Sequence, residues 1–424
     1  MRYYSRAFPT RMRSAQGAII RDVHGRELVD FFAGAGALNY GHNHPEMTAQ
    51  VISYLQQNGI VHSLDMDTEA RAAFLTALRD VVLTPRRLPY RVQLTGPTGT
   101  NCVEAALKLA RKVTGRNTIA AFTRGFHGVS LGALAATASA EKRQAVAGTL
   151  HDVVRLPFEG FLGGGDAELA WIEAMMTGRG AGIERPAAFV FECVQGEGGL
   201  NVASARWAQR VCELARALGA LVIVDEVQTG CGRAGDFFAF EALGIEPDLV
   251  CLSKSISGMG IPMALLLLRP ELDVWAPGEH NGTFRGINLA FVSGRVGLEL
   301  WRDAGFVSAV EANRRTLRAR LEAIAAELGP EVCAVRGRGT LLGLAFVDPE
   351  LAHAVQREAF AGGLLMENCG PDDEVCKCMP PLNIEQDCLQ RGLDILEAAT
   401  RKVAGGRRPS TVPVALAAQS KGSV

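Results

Sequence analysis

Lys254 lies in the turn Leu-Ser-Lys-Ser-Ile-Ser-Gly-Met-Gly (252–260), and upstream of it the apolar run 220–224 ends in Asp225 and Glu226. A primary amine on a Ser/Gly-rich turn can condense with an aldehyde. A carboxylate at the end of a buried strand can hold a heteroaromatic nitrogen protonated. Together these two groups are the basic equipment for pyridoxal phosphate, whose protonated ring acts as an electron sink. Neither is specific alone: a strand-terminal Asp is most often a turn or cap residue, and a loop Lys is usually a solvated charge.

A phosphate needs a cradle, and residues 95–111, Thr-Gly-Pro-Thr-Gly-Thr-Asn-Cys-Val-Glu-Ala-Ala-Leu-Lys-Leu-Ala-Arg, supply a candidate. Gly99, Thr100 and Asn101 stand where a turn opens into strong helix formers, so free backbone N–H groups and a positive helix end would face an anion. Read alone, the segment is equally a capped helix after a flexible turn. It has no Gly-Lys-Ser/Thr, which excludes a P-loop, and the glycines at 34–36 and 163–165 lack the spacing of a dinucleotide fingerprint.

These groups need a scaffold. Apolar runs at 92–94, 118–122, 187–192, 221–225, 249–252 and 263–268 alternate with helical periodicity at 103–113, 205–218 and 314–327. That alternation predicts an α/β fold with a mostly parallel sheet. The run 221–225 is apolar up to its last residue, as in a strand buried on both faces. Asp225 and Lys254 then fall at carboxyl ends of strands, where such sheets bind ligands. With 424 residues the chain has room for a large domain over 56–304 and a smaller one combining 1–55 with 305–403. Residues 404–424 are small and turn-forming without a period, and are expected to be a disordered tail. A formal net charge of −1 gives no reason to expect nucleic acid or an anionic membrane as partner. The start lacks the apolar core of a signal peptide, and no apolar run reaches membrane-spanning length. Ten cysteines without a framework suit a reducing, cytoplasmic location. Cys369, Cys376 and Cys378 lack a fourth ligand at a metal-like spacing, so no metal is expected.

The ordered motifs resemble a family. They are Gly-Thr-Asn-Cys-Val-Glu-Ala-Ala-Leu-Lys-Leu-Ala-Arg (99–111), Gly-Phe-His-Gly (125–128), Phe-Glu-Cys-Val-Gln-Gly-Glu (191–197), Val-Asp-Glu-Val-Gln-Thr-Gly (224–230), Ser-Lys-Ser (253–255) and His-Asn-Gly-Thr-Phe (280–284). Over roughly 3–400 the chain resembles the class III (ω-amino acid) aminotransferases. The resemblance implies the type I fold of pyridoxal-phosphate-dependent transferases, a mostly parallel large domain with a smaller α+β domain, assembled as a homodimer or homotetramer. It implies Lys254 as the Schiff-base lysine and Asp225 as the pyridinium partner. Gly99 and Thr100 would bind phosphate, Phe126 would stack on the ring and Gln228 would reach the ring hydroxyl. Thr283 would bind the phosphate of the neighbouring subunit's cofactor. The bland alternatives are Phe126 as core filler, Gln228 as a helix-start polar residue and Thr283 as a turn residue.

Residues 30–43, 62–70, 93–101 and 373–382 further resemble the diaminobutyrate branch of that family, which feeds ectoine synthesis and some siderophore and peptide pathways. The wider family has an arginine for a substrate carboxylate three positions before Pro380-Pro381; here it is Lys377, as in that branch. Val129 stands where the ornithine and 4-aminobutyrate branches carry an arginine. The resemblance implies amino acids and oxo acids as partners, glutamate donating to aspartate 4-semialdehyde, with Glu197 and Lys377 forming a gate between the half-reactions. The alternative for that pair is a solvated turn and a surface lysine. An aminomutase, an ornithine- or 4-aminobutyrate-type enzyme, and a non-catalytic relative are the other readings; the last should have lost Lys254 or Asp225.

Overall fold

The computed structural model describes residues 8–405. Three strands open it, β1 (Met12–Gln16), β2 (Ile19–Asp22) and β3 (Glu27–Asp30), an antiparallel meander. The central sheet contains β4 (Arg91–Gly96), β5 (Ile119–Phe122), β6 (Val153–Leu156), β7 (Ala188–Phe191), β10 (Leu221–Asp225), β11 (Leu249–Leu252) and β12 (Ala264–Leu268). A short hairpin, β8 (Val194–Gln195) with β9 (Asn201–Val202), stands beyond β7.

The sheet order is β4-β12-β11-β10-β7-β5-β6. Pairs from β11 through β6 are parallel, and β12 runs antiparallel to both its neighbours. Strands β5, β7, β11 and β12 are buried at every position, because helices cover both faces of the sheet. One core cluster gathers Phe122, Phe191, Trp207 and Val224 on one face, and a second gathers Val103, Leu107, Ile223 and Leu266 on the other. The edge strand β6 has no counterpart among the apolar runs expected from sequence, because Arg155 interrupts its pattern. That guanidinium turns back to donate to the carbonyls of Ala135, Ala136 and Thr137.

After the helix Ala304–Leu328 come β13 (Cys333–Arg338), β14 (Leu341–Phe346), β15 (Leu364–Leu365), β16 (Glu367–Cys369) and β17 (Val375–Cys378). β15 pairs in parallel with β3, so both ends of the chain share the β1-β2-β3-β15 sheet. The other four-stranded sheet has the order β13-β14-β17-β16 and sets Glu367 opposite Lys377. A third core cluster joins Val29 and Phe31 to Leu321, Leu344 and Leu393. The final helix, Gln386–Gly405, continues past the boundary expected at 403, and the rest of the expected tail lies outside the described residues. No described helix is long and apolar enough to cross a membrane.

Arg233 stitches these parts together. Fully buried, it donates to Asn39 Oδ1 (2.7 and 3.1 Å), Pro380 O (2.6 Å) and Thr340 Oγ1 (3.2 Å), and burial pulls its pKa down to about 9. Replacing it leaves several buried acceptors without a donor, so Arg233→Met should lose about 3–5 kcal/mol of unfolding free energy. A denaturant midpoint equal to wild type would show that the stitch is dispensable. Glu226 is also buried; it accepts from Thr229 Oγ1 (2.5 Å) and the Phe240 N–H (3.0 Å), and burial raises its carboxyl to about 7. The folded chain therefore keeps a proton that the unfolded chain releases from about pH 4.3 upward, and its stability contribution falls as pH rises from there to about 7. Glu226→Gln should flatten that part of the stability–pH curve, measured by denaturation at several pH values.

Candidate active site

β10 and β11 run side by side, with Asp225 opposite Cys251, so Asp225 and the turn carrying Lys254 emerge from the same edge of the sheet. Lys254 has φ +55°, the left-handed region that a side chain rarely adopts. Such strain persists only where surroundings enforce it. The neighbouring hydroxyls do so here: Ser253 Oγ donates to Met263 O and Ser255 Oγ to Gly36 O. The Lys254 Nζ donates to the carbonyl of Ala35 (2.9 Å), and burial lowers its pKa.

Asp225 is held at both oxygens. Its Oδ1 accepts from the Val227 N–H (3.0 Å), and its Oδ2 lies 2.8 Å from Nδ1 of the buried His127. His127 follows the half-buried Phe126, whose N–H donates to Glu192 (2.9 Å). The other Glu192 oxygen accepts from the Gly196 N–H (3.0 Å), and burial raises this carboxyl to about 7. The backbone of Phe126 is thus anchored while its side chain is only half-buried. His127 and Glu192 lie inside the sequence motifs without an evident role there; for His127 the signal is its place next to Phe126, and for Glu192 the local sequence offers none.

Gln228 sits in a turn, so the helix-start alternative falls. Its Nε2 donates to Ala35 O (3.0 Å) and Glu197 Oε1 (3.1 Å), while its buried Oε1 has no partner. A side chain at Gly196 would displace that oxygen, so glycine leaves the Gln228 amide where it is. Lys377 is fully buried, contrary to the surface-lysine alternative. Its Nζ is 2.8 Å from Glu197 Oε1 and 2.8 Å from Glu367 Oε1. The two carboxylates hold the ammonium well above its usual pKa, against the cost of burial, and the nearby lysines pull Glu197 down to about 2. Glu367 was not foreseen, since only the β16–β17 register brings it beside Lys377.

The helix Gly99–Thr114 begins where expected, capped by Thr98. Asn101 Oδ1 accepts from the Thr98 N–H (3.3 Å) and hydroxyl (2.8 Å), and Thr100 Oγ1 meets Ser130 Oγ at 2.5 Å. First-turn N–H groups have no intrahelical partner and favour an anion. A Cβ on Gly99 would come within 2.7 Å of Val227 Cγ1, so the helix start can approach the Asp225 turn only with glycine there. Thr283 is not brought into this cluster. It lies on an exposed loop, where its carbonyl accepts from His62 Nε2 (2.6 Å).

The residues fit pyridoxal phosphate. Lys254 offers an amine for its aldehyde, and Asp225 a fixed carboxylate for its ring nitrogen. The unpartnered Gln228 Oε1 is an acceptor for the ring hydroxyl, Phe126 offers an aromatic face, and the helix start at Gly99 and Thr100 a phosphate cradle.

The chain is similar to known proteins along nearly its whole length. The profile of the aminotransferase class-III family matches residues 3–400. The chain is 48% identical to a diaminobutyrate–2-oxoglutarate transaminase of Bordetella parapertussis, over 97% of this chain and 95% of that protein. It is 49% identical to one of Nocardia farcinica, over 96% and 93%. Its fold is similar to that of the Toxoplasma gondii ornithine aminotransferase with PLP in partial occupancy at the active site, at 25% identity and a TM-score of 0.82, covering 96% of this chain and 93% of that one.

Two substitutions test the geometry. Borohydride reduction should fix the cofactor on Lys254, as read by peptide mapping, and Lys254→Ala should lose turnover by several orders of magnitude. Asp225→Asn keeps the shape and removes the charge, so kcat should fall far more than substrate affinity. A near-normal kcat in that variant would mean that another group faces the ring nitrogen.

Proposed function

This chain belongs to the class-III aminotransferases, pyridoxal-phosphate enzymes, and we propose that it moves the amino group of L-glutamate to L-aspartate 4-semialdehyde, yielding 2-oxoglutarate and L-2,4-diaminobutyrate, reversibly. The observation that carries this reading is the buried Lys377 paired with Glu197, one hydrogen bond from Gln228, which shares the Ala35 carbonyl with Lys254. The names of the relatives at 48–49% identity support the same substrates.

Bound pyridoxal phosphate supplies an aldehyde for the substrate amine and a protonated ring that draws electrons from the adjacent carbon. The protein's own groups do the rest. Lys254 Nζ, its pKa lowered by burial, is a base poised to take a proton from the reacting carbon and return it. His127 and the Val227 N–H orient Asp225, which would face the ring nitrogen, and Phe126 would stack on the ring.

Two substrates use one site. Glutamate brings a carboxylate next to its reacting carbon, whereas the aldehyde end of aspartate 4-semialdehyde brings none. Lys377 must therefore be released by Glu197 to meet an anion in one half-reaction and be covered by it in the other. Glu197 meets both needs by swinging. Its turn is bracketed by β8 and β9, and its carbonyl is pinned by the Gly370 N–H (3.0 Å), so the motion belongs to the side chain. We extend the proposal to a cytoplasmic homodimer or homotetramer in which Thr283, on its exposed loop, reaches the neighbouring subunit's cofactor phosphate. The product would serve ectoine synthesis, or siderophore or peptide assembly.

Glutamate and aspartate 4-semialdehyde should yield 2-oxoglutarate and diaminobutyrate one for one; isomerisation without 2-oxoglutarate would instead identify an aminomutase. Lys377→Ala should raise the KM for glutamate, losing about 1.5–3 kcal/mol for a charge-assisted hydrogen bond. Lys377→Arg should also be impaired, since a planar fork approaches a carboxylate differently from a compact ammonium. If Lys377→Ala leaves the KM values for glutamate, diaminobutyrate and ornithine unchanged, the carboxylate is held elsewhere.

A further inference from the structure

We propose that Glu367 is a specificity-determining residue: it is the permanent counter-ion of Lys377, and its charge favours the diamino acid over dicarboxylic substrates. The inference rests on the transamination reading above and assigns a role to the second carboxylate.

Lys377 contacts two carboxylates at 2.8 Å, and they are mounted differently. Glu197 sits in a glycine-rich turn, and its side chain is about one-third exposed. Glu367 lies on β16, locked opposite Lys377 by the antiparallel register, and its side chain is less exposed. When Glu197 swings out, Lys377 therefore keeps a partner and never becomes a bare buried cation, the state that costs most. When Glu197 is in place two carboxylates share one ammonium; burial pushes the Glu367 carboxyl up and Lys377 draws it back down. Lys254 is the other cation within electrostatic reach of Glu367.

The two amino acids carry opposite net charge at neutral pH. Glutamate has two carboxylates and one ammonium; diaminobutyrate has one carboxylate and two ammonium groups. A fixed carboxylate in a water-poor site repels the first and attracts the second. It also speeds departure of 2-oxoglutarate, a dianion. A purely structural residue would affect both substrates in the same sense.

The test is Glu367→Gln in the cofactor-loaded enzyme, with separate steady-state constants for glutamate and diaminobutyrate and a calorimetric Kd for glutarate, a dicarboxylate without an amine. KM should fall for glutamate and rise for diaminobutyrate, shifting their ratio by about tenfold, and glutarate should bind more tightly. Glu367→Asp, which keeps the charge, should restore a ratio near wild type. KM values that move together, or an unchanged ratio, overturn the proposal. So does loss of cofactor absorbance in both variants, which would make Glu367 a structural partner only. If the wild-type enzyme does not turn over diaminobutyrate, the substrate reading above fails instead, and the glutarate arm still tests the charge on Glu367.

Discussion

A charged group removed from water must be paired, hydrogen-bonded or neutralised, and the architecture of this site follows from that requirement. Arg233 and Lys377 are fully buried cations, and Asp225, Glu192 and Glu226 are buried acids. Arg233, Lys377 and Asp225 are held by partners from distant parts of the chain, and Glu226 by neighbours along it. Arg233 joins Asn39 to Pro380 and Thr340; Asn39 N–H reaches Ser255 Oγ; Ser255 Oγ reaches Gly36 O. From the adjacent Ala35 carbonyl the line continues through Lys254 and Gln228 to Glu197, Lys377 and Glu367. A continuous polar seam thus runs between the carboxyl edge of the central sheet and the strands from both chain ends.

Three charged groups of the site sit on strands, whereas most of the seam runs through turns. Asp225 is the last residue of β10, Lys377 lies within β17 and Glu367 within β16. The strained backbone at Lys254 and at the 33–36 turn, where Ala33 and Ala35 also have positive φ, is enforced by the same hydrogen bonds. Glu197 differs, being on a glycine turn with its side chain reaching solvent. A site that alternates between two substrates needs one movable charge among fixed ones, since several moving together would each cost desolvation.

Backbone groups matter here as much as side chains. The Ala35 carbonyl accepts from both Lys254 and Gln228, and the Phe126, Gly196 and Val227 N–H groups place the buried acids. The pairing of His127 with Asp225 gives the strand-end carboxylate a fixed orientation. Such preorganisation avoids reorienting dipoles during reaction.

Residue type and local pattern were enough to place Asp225 and Lys254 at strand ends, and to find the helix start at Gly99 and most of the central strands. A reactive amine, a strand-end acid and a capped helix are local properties, set by side-chain chemistry and short-range periodicity. Strand β6 escaped because a single arginine breaks its apolar pattern while its backbone still pairs with β5. His127 and Glu192 were visible as residues but not as partners, since their roles depend on which carboxylate or N–H faces them across the sheet edge. The burial of Lys377 and its contact with Glu367 were beyond any local pattern. A lysine between two cysteines reads as surface or interior with equal ease, and only the register of β14, β16 and β17 decides. The sequence by itself determined which chemical groups were present and roughly where on the sheet they emerged. Tertiary structure decided which charges were buried together, because pairing in a low-dielectric seam is set by contacts between segments far apart in the chain.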